Sequence, residues 1–187
     1  MTLAVLLAIL LNNRATPLRK AFRSALYLPA LTSIIVAGIF FRLFFGSGDS
    51  TPLNQLMSLL NLETRKWLYD TMPTGIFVLV ITSTWRWLGT NIVYFLCGLQ
   101  SIPEELYEAA DIDGAGPMQR LINVTIPSLK PILIFVITVT TYGGLRMFGE
   151  SFVLWTNGST PGDIGLTIVL YIYKTAFTRF DTGYASA

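Results

Sequence analysis

Thr74-Gly-Ile-Phe-Val-Leu-Val-Ile-Thr-Ser-Thr-Trp-Arg-Trp-Leu-Gly-Thr-Asn-Ile-Val-Tyr-Phe-Leu-Cys-Gly-Leu99 holds a single charge, Arg86, in a run that is otherwise apolar or weakly polar. At about 1.5 Å per helical residue, the run is longer than the ~30 Å hydrocarbon core of a bilayer. It reads as a membrane-spanning helix. Two more stretches share its character. Ala25–Phe45 is uncharged before Arg42, has Pro29 near its start and is followed by Gly46-Ser47-Gly48; Arg42 can extend its charge to the interface. Pro131–Trp155 carries Arg146 and Glu150. Met1–Leu11 is apolar but reaches across only about half of a bilayer core, so it reads as the second half of a span or as a short interfacial anchor. Its charges follow the apolar run, at Arg14, Arg19, Lys20 and Arg23, the reverse of a secretory signal. The far end, Gly183-Tyr184-Ala185-Ser186-Ala187, has no helix-stop signal. The expectation is an all-α, polytopic membrane bundle, one partial membrane domain over residues 1–187 truncated at both ends, with spans at 1–11 (half), 25–45, 74–99 and 131–155.

Composition excludes several classes of function. The 187 residues are 52% hydrophobic and 13% charged, against the ~25% charged share of soluble domains. A net charge of +2 is too small an excess for a nucleic-acid partner. The absence of histidine and the single Cys97 argue against triad or zinc catalysis and rule out an internal disulfide. No glycine-rich nucleotide loop is present, so neither a catalytic residue nor a cofactor is expected. The cations Arg14, Arg19, Lys20 and Arg23 in 12–24, with Arg120 and Lys130 in 100–130, outnumber those of 46–73 and of the stretch after 158. The positive-inside rule therefore puts 12–24 and 100–130 in the cytoplasm and the loops 46–73 and 156–180 outside. Within those outer loops a short helix is expected over Leu53–Leu62 and a turn at Pro161-Gly162-Asp163, and Gly165–Phe180 reads as a helix lying along the outer face.

Loop 100–130 carries the functional signal. Ser101-Ile-Pro-Glu104 has capping-box spacing and opens a helix over Ile102–Asp113, with Gly114 as the residue beyond its last turn. Pro117 opens a second short helix, in which Met118, Leu121, Ile122 and Thr125 recur at helical spacing until Pro127 stops it. Two helices hinged by Gly114-Ala115-Gly116, one bearing small alanines rimmed by acids, make a docking knob. An ordinary polar loop with a surface helix has the same spacing.

The residues themselves go further. Glu108-Ala109-Ala110, then Gly114, then Val124-Thr125-Ile126-Pro127 resembles the E-A-A, G, I-x-L-P signature of inner-membrane permease subunits of binding-protein-dependent ABC importers. Gly98-Leu99-Gln100-Ser101-Ile102-Pro103, Tyr107, Asp113-Gly114-Ala115-Gly116-Pro117, Trp87-Leu88-Gly89, Thr156-Asn157-Gly158 and Tyr171-Ile172-Tyr173 resemble its carbohydrate-uptake branch. The resemblance implies a multi-pass permease of the type I importer fold in a bacterial or archaeal inner membrane, with no chemistry of its own. It implies an ATPase dimer whose clefts receive the E-A-A helix, a second homologous permease subunit and an extracytoplasmic solute-binding protein. Glu108, Ala109, Ala110, Gly114 and Pro127 become the ATPase-coupling residues, and the solute a sugar, oligosaccharide or related polyol. A secondary transporter or a non-functional truncated subunit is the rival reading.

Polar groups at membrane depth usually face a partner, a cavity or a pathway. Trp85, Trp87, Leu88, Gly89 and Asn91 around Arg86, and Tyr142, Gly143, Arg146 and Glu150, are the pathway candidates, since rings stack on sugar C–H faces and polar groups meet hydroxyls. Interfacial tryptophans also serve as anchors, Arg146 and Glu150 sit at i, i+4 pairing spacing, and Gly143-Gly144 suits helix packing or a flexible point.

Overall fold

The computed structural model describes residues 1–12, 18–158 and 161–187. Arg14, Ser159 and Thr160 lie outside the described residues, so the cationic segment is seen only from Leu18 onward. The elements are helical throughout: α1 (Thr2–Asn12), α2 (Arg19–Leu31), α3 (Ile34–Phe44), α4 (Pro52–Leu59), α5 (Met72–Gln100), α6 (Glu104–Ile112), α7 (Pro117–Arg120), α8 (Ile126–Ser128), α9 (Lys130–Leu145), α10 (Gly149–Leu154), α11 (Ile168–Tyr173) and α12 (Thr182–Ser186). π-Helical turns occupy Leu121–Thr125 and Lys174–Thr178.

α5, with 29 residues, contains the whole expected Thr74–Leu99 span and is long and apolar enough to cross a membrane by itself. The expected continuous helix over Ala25–Phe45 is instead two helices. Pro29 lies inside α2, where it supplies no N–H to the ladder. Ser33 then leaves helical geometry at φ −60° and ψ 139°, and its hydroxyl accepts from Ile35 N–H as the N-cap of α3. α2 and α3 reach spanning length only when counted together across that break. The expected Pro131–Trp155 span also ends early. α9 stops at Leu145, and Glu150 belongs to the separate short helix α10. The long rod here lies N-terminal to α9: the run Pro117–Ser128 joins α9 with a bend of 58°. Pro127 therefore does not stop the second loop helix. The π turn before it hands over at Ile126 N–H to Leu121 C=O, and the wider turn leaves room for a ring that would crowd an α-helical carbonyl.

The chain divides into two units. The first comprises Met1–Leu31 and Trp87–Thr141. Its core is Ala4, Ala8 and Leu11 of α1 packed with Ile92, Phe95, Leu96 and Leu99 of α5, plus Leu129 and Val136. Gly89 lets α5 and α2 approach closely here: a Cβ on it would stand 2.3 Å from the Leu26 carbonyl oxygen and 2.7 Å from Tyr27 Cα. Arg23 Nη2 donates to the Leu11 carbonyl at 2.8 Å, closing the end of α1.

The second unit comprises Thr32–Arg86 and Tyr142–Ala187. Phe41, Phe45, Leu68, Val78, Leu154 and Trp155 are its core. α3 crosses α10 through paired notches: Val153 occupies the space beside Gly38, and Ile34 the space beside Gly149. The loop 46–73 is built around Asn54, which is 1% exposed. Its amide nitrogen donates to the carbonyls of Gly48 and Arg65, at 3.1 and 3.0 Å. Its oxygen accepts from Arg65 N–H and from Trp67 Nε1–H, at 3.3 and 3.0 Å. Trp155 Nε1–H donates to the Leu68 carbonyl at 2.9 Å, and a buried indole is thereby satisfied. α11 begins at Ile168, capped by the Thr167 hydroxyl.

Candidate functional site

The two helices expected between 100 and 130, called the knob for their shape, are present, with the start of the first corrected. α6 begins at Glu104 with Pro103 as N-cap (φ −57°, ψ 135°), and no side chain caps it. Ser101 falls too early to serve; its hydroxyl donates to the Gly98 carbonyl at 2.9 Å and finishes α5. Glu104 and Glu105 still lie in the first turn of α6, where the macrodipole favours them. A reach-back hydrogen bond does occur one helix later, where Gly116 N–H donates to Gln119 Oε1 at 2.8 Å.

The C-terminus of α6 matches the expectation built on Gly114. Gly114 has φ +71°, its N–H donates to the Asp111 carbonyl, and Ala115 N–H donates to the Ala110 carbonyl. This pair of bonds is the Schellman arrangement, which needs a left-handed residue at the position of Gly114. The chain then turns back through Pro117. Arg120 forms an ion pair with Asp111 and donates from Nε to the Ala115 carbonyl at 2.8 Å. Tyr107 and Thr125 share a hydroxyl–hydroxyl bond of 3.1 Å. Between the two arms lies a groove of about 400 Å³, lined by the apolar Leu106, Ala109, Ala110 and Val124 and the polar Asp113, Gln119, Arg120 and Asn123. Glu108 and Ala109 are exposed and Ala110 is half-buried. Sequence spacing marks α6 and its cap, but neither Arg120 nor the Tyr107–Thr125 bond, because both join residues through a turn whose path spacing does not give.

The pathway candidates divide between the units. In the second unit Arg86 and Glu150 form an ion pair at 2.9 Å, with side chains 15% and 7% exposed. Glu150 therefore pairs with α5 and not with Arg146. Because α9 stops at Leu145, Arg146 and Glu150 share no helical face; Arg146 lies over the Tyr142 ring, 5.1 Å from its centroid. Trp85 meets Phe41 edge-on at 5.4 Å. Gly143 and Gly144 are exposed and touch no other element among the described residues. In the first unit Trp87 is exposed and Leu88 packs against the core, with Asn91 half-buried. Gly89 is filled against by the α2 backbone, which makes it a packing residue.

Residues 1–181 match the family described as the binding-protein-dependent transport system inner membrane component. The chain belongs to this family. The inner-membrane component is 50% identical over 186 residues to the arabinooligosaccharides transport system permease protein AraP of Halalkalibacterium halodurans, covering 100% of this chain and 58% of the relative. AraP of Bacillus subtilis is 49% identical over 183 residues, with 98% and 58% covered. The lactose transport system permease protein LacF of Rhizobium radiobacter is 35% identical over 187 residues, with 100% and 62% covered. The chain thus spans about three-fifths of the length of these relatives. Its fold is that of a chain in the crystal structure of a bacterial ABC transporter involved in the import of the acidic polysaccharide alginate, with a TM-score of 0.85 at 22% identity, over 98% of this chain and 63% of that one. The expected family and the expected all-helical permease fold are both borne out.

Proposed function

We propose that the inner-membrane component is one permease subunit of an ATP-driven importer, that it lines part of the solute path, and that its solute is an arabinose-containing oligosaccharide. The observation that carries this is whole-chain identity of 50% with a permease named for arabino-oligosaccharide transport. The knob supports the coupling half of the reading. Glu108, Ala109 and Ala110 lie on α6, Gly114 follows its end at the braced turn, and Pro127 lies in α8 just before α9. A groove-fitting knob transmits motion only if its fit differs between the two states of the partner. The partners in this reading are two ATPase subunits, a second permease subunit and an extracytoplasmic solute-binding protein, with loop 100–130 facing the ATPases in the cytoplasm. ATP is hydrolysed by those subunits and not by this chain. The pathway candidates are Trp85, Trp87, Asn91, Tyr142 and Arg146, whose rings and polar groups are exposed or half-exposed.

The test is reconstitution of the native protein with its ATPase, second permease and binding protein in proteoliposomes. Arabino-oligosaccharides are expected to stimulate ATP hydrolysis and to accumulate inside, where lactose and alginate oligosaccharides do neither. Stimulation by lactose alone would overturn the substrate assignment, and accumulation without ATP would overturn the importer assignment.

A further inference from the structure

We infer that Arg120 is a positioning residue that stiffens the knob, and that its hydrogen bond to Ala115, more than its ion pair with Asp111, makes the knob transmit force. The inference rests on the functional reading above. α6 ends with charges that its own dipole disfavours, because Asp111 and Asp113 lie at the negative end of a helix with no basic residue in its last turn. The only covalent link from that end to α7 is Gly114-Ala115-Gly116, with two glycines and therefore little stiffness. Arg120 reaches back over this link. Its guanidinium answers Asp111, and its Nε–H holds the Ala115 carbonyl at 2.8 Å. Arg fits this task because one planar group offers donors in two directions. Tyr107 and Thr125 brace the opposite side. A knob loose at the glycines still presents Ala109 and Ala110 to an ATPase cleft, but displacement of the cleft would then bend the link and not move α9.

The two contacts of Arg120 differ in exposure. The ion-pair side chains are 35% and 52% exposed, and exposed pairs contribute little; the carbonyl bond is partly buried. Asp111→Asn removes the pair alone, and Arg120→Ala removes both contacts. The experiment places nitroxide labels through Glu105→Cys and Ile122→Cys, in a Cys97→Ser background, and measures the inter-label distance in detergent without any ATPase. The same variants without labels are then reconstituted with the ATPase, second permease and binding protein. Arg120→Ala is expected to broaden and shift the distance and to cut solute moved per ATP hydrolysed by about tenfold, while the ATPase still co-purifies. Asp111→Asn is expected to keep the native distance and to lower that ratio by less than about fivefold. A native distance and a native ratio for Arg120→Ala overturn the inference. Equal losses in both variants overturn the ranking of the two contacts. If the native protein neither binds an ATPase nor moves solute, the functional reading fails, and the distance measurement alone still judges the brace.

Discussion

Neutralising one member of the Arg86–Glu150 pair should be far more damaging than removing both. The side chains are 15% and 7% exposed and 2.9 Å apart, so the pairing of the two charges replaces part of the hydration each has lost. Breaking a buried pair by removing one partner destabilises by about 3–5 kcal/mol, whereas replacing both with apolar residues of similar volume is about neutral, or stabilising by 1–4 kcal/mol. Glu150→Gln leaves a guanidinium that cannot give up its proton and takes the full effect. Arg86→Met removes the guanidinium 2.9 Å from the Glu150 carboxylate and should also destabilise. In the double variant Arg86→Met, Glu150→Leu, stability should return to within about 1 kcal/mol of native or exceed it, which gives a coupling energy of several kcal/mol by a double-mutant cycle. Equilibrium unfolding in mixed micelles followed by tryptophan emission suits this measurement, since Trp155 is fully buried in the same unit and Trp85 is the residue before Arg86. At about 1.4 kcal/mol per decade, Glu150→Gln should raise the unfolded-to-folded ratio by about two to three and a half orders of magnitude. Single variants within about 1 kcal/mol of native, or a double variant as unstable as the sum of the singles, would refute the reasoning.

Gly89→Ala would drive a methyl group into the α2 backbone and should destabilise by about 1–3 kcal/mol or more, whereas Gly143→Ala, with open space around it, should gain up to about 1 kcal/mol from helix propensity; the same unfolding assay compares them, and equal effects would contradict the packing described. Asn54→Ala removes the hydrogen bonds that this buried side chain makes to Gly48, Arg65 and Trp67 and should destabilise the loop 46–73 by about 1–3 kcal/mol, read as faster proteolysis within that loop; native cleavage rates would count against the staple. Gly114→Ala meets no neighbouring atom, so its whole effect is the left-handed backbone penalty of about 1–2 kcal/mol, and amide exchange at Ala115 should accelerate by about tenfold or slightly more, against no change if the cap is dispensable.

The sequence reveals most where one helix suffices to explain a residue. The limits of α5 lie within two residues of the expected span, and Gly114 was legible as a left-handed cap because helix ends obey local rules. What spacing misses depends on a second segment. Arg146 and Glu150 satisfy the i, i+4 rule on paper, but the break at α9 removes the shared face and delivers Glu150 to Arg86, distant in sequence. Ser101 has capping-box spacing, yet Pro103 sets the helix start later and leaves the hydroxyl to α5. Asn54 carries no sequence sign of burial, since an asparagine after a helix-opening proline also reads as solvated. The break at Ser33 is hidden because the apolar run continues through it and only a weak cap marks the site. The small pair Gly143-Gly144 reads as a helix-packing or flexible point, and among the described residues the space beside both glycines is open.

The π turn at Leu121–Thr125 has a geometric effect that reaches beyond Pro127. An α-helix advances about 100° per residue, and a turn closed from Ile126 N–H to Leu121 C=O contains one residue more than an α-turn. The faces before and after it are therefore out of phase by about that angle. The side chains that α7 turns toward α6, such as Gln119 and Arg120, do not continue as a stripe along α9. Across the bend, the half that carries Gln119 and Arg120 can then stay aligned with α6 while the apolar half, from Leu129 to Val136, is clocked independently onto α1 and α5.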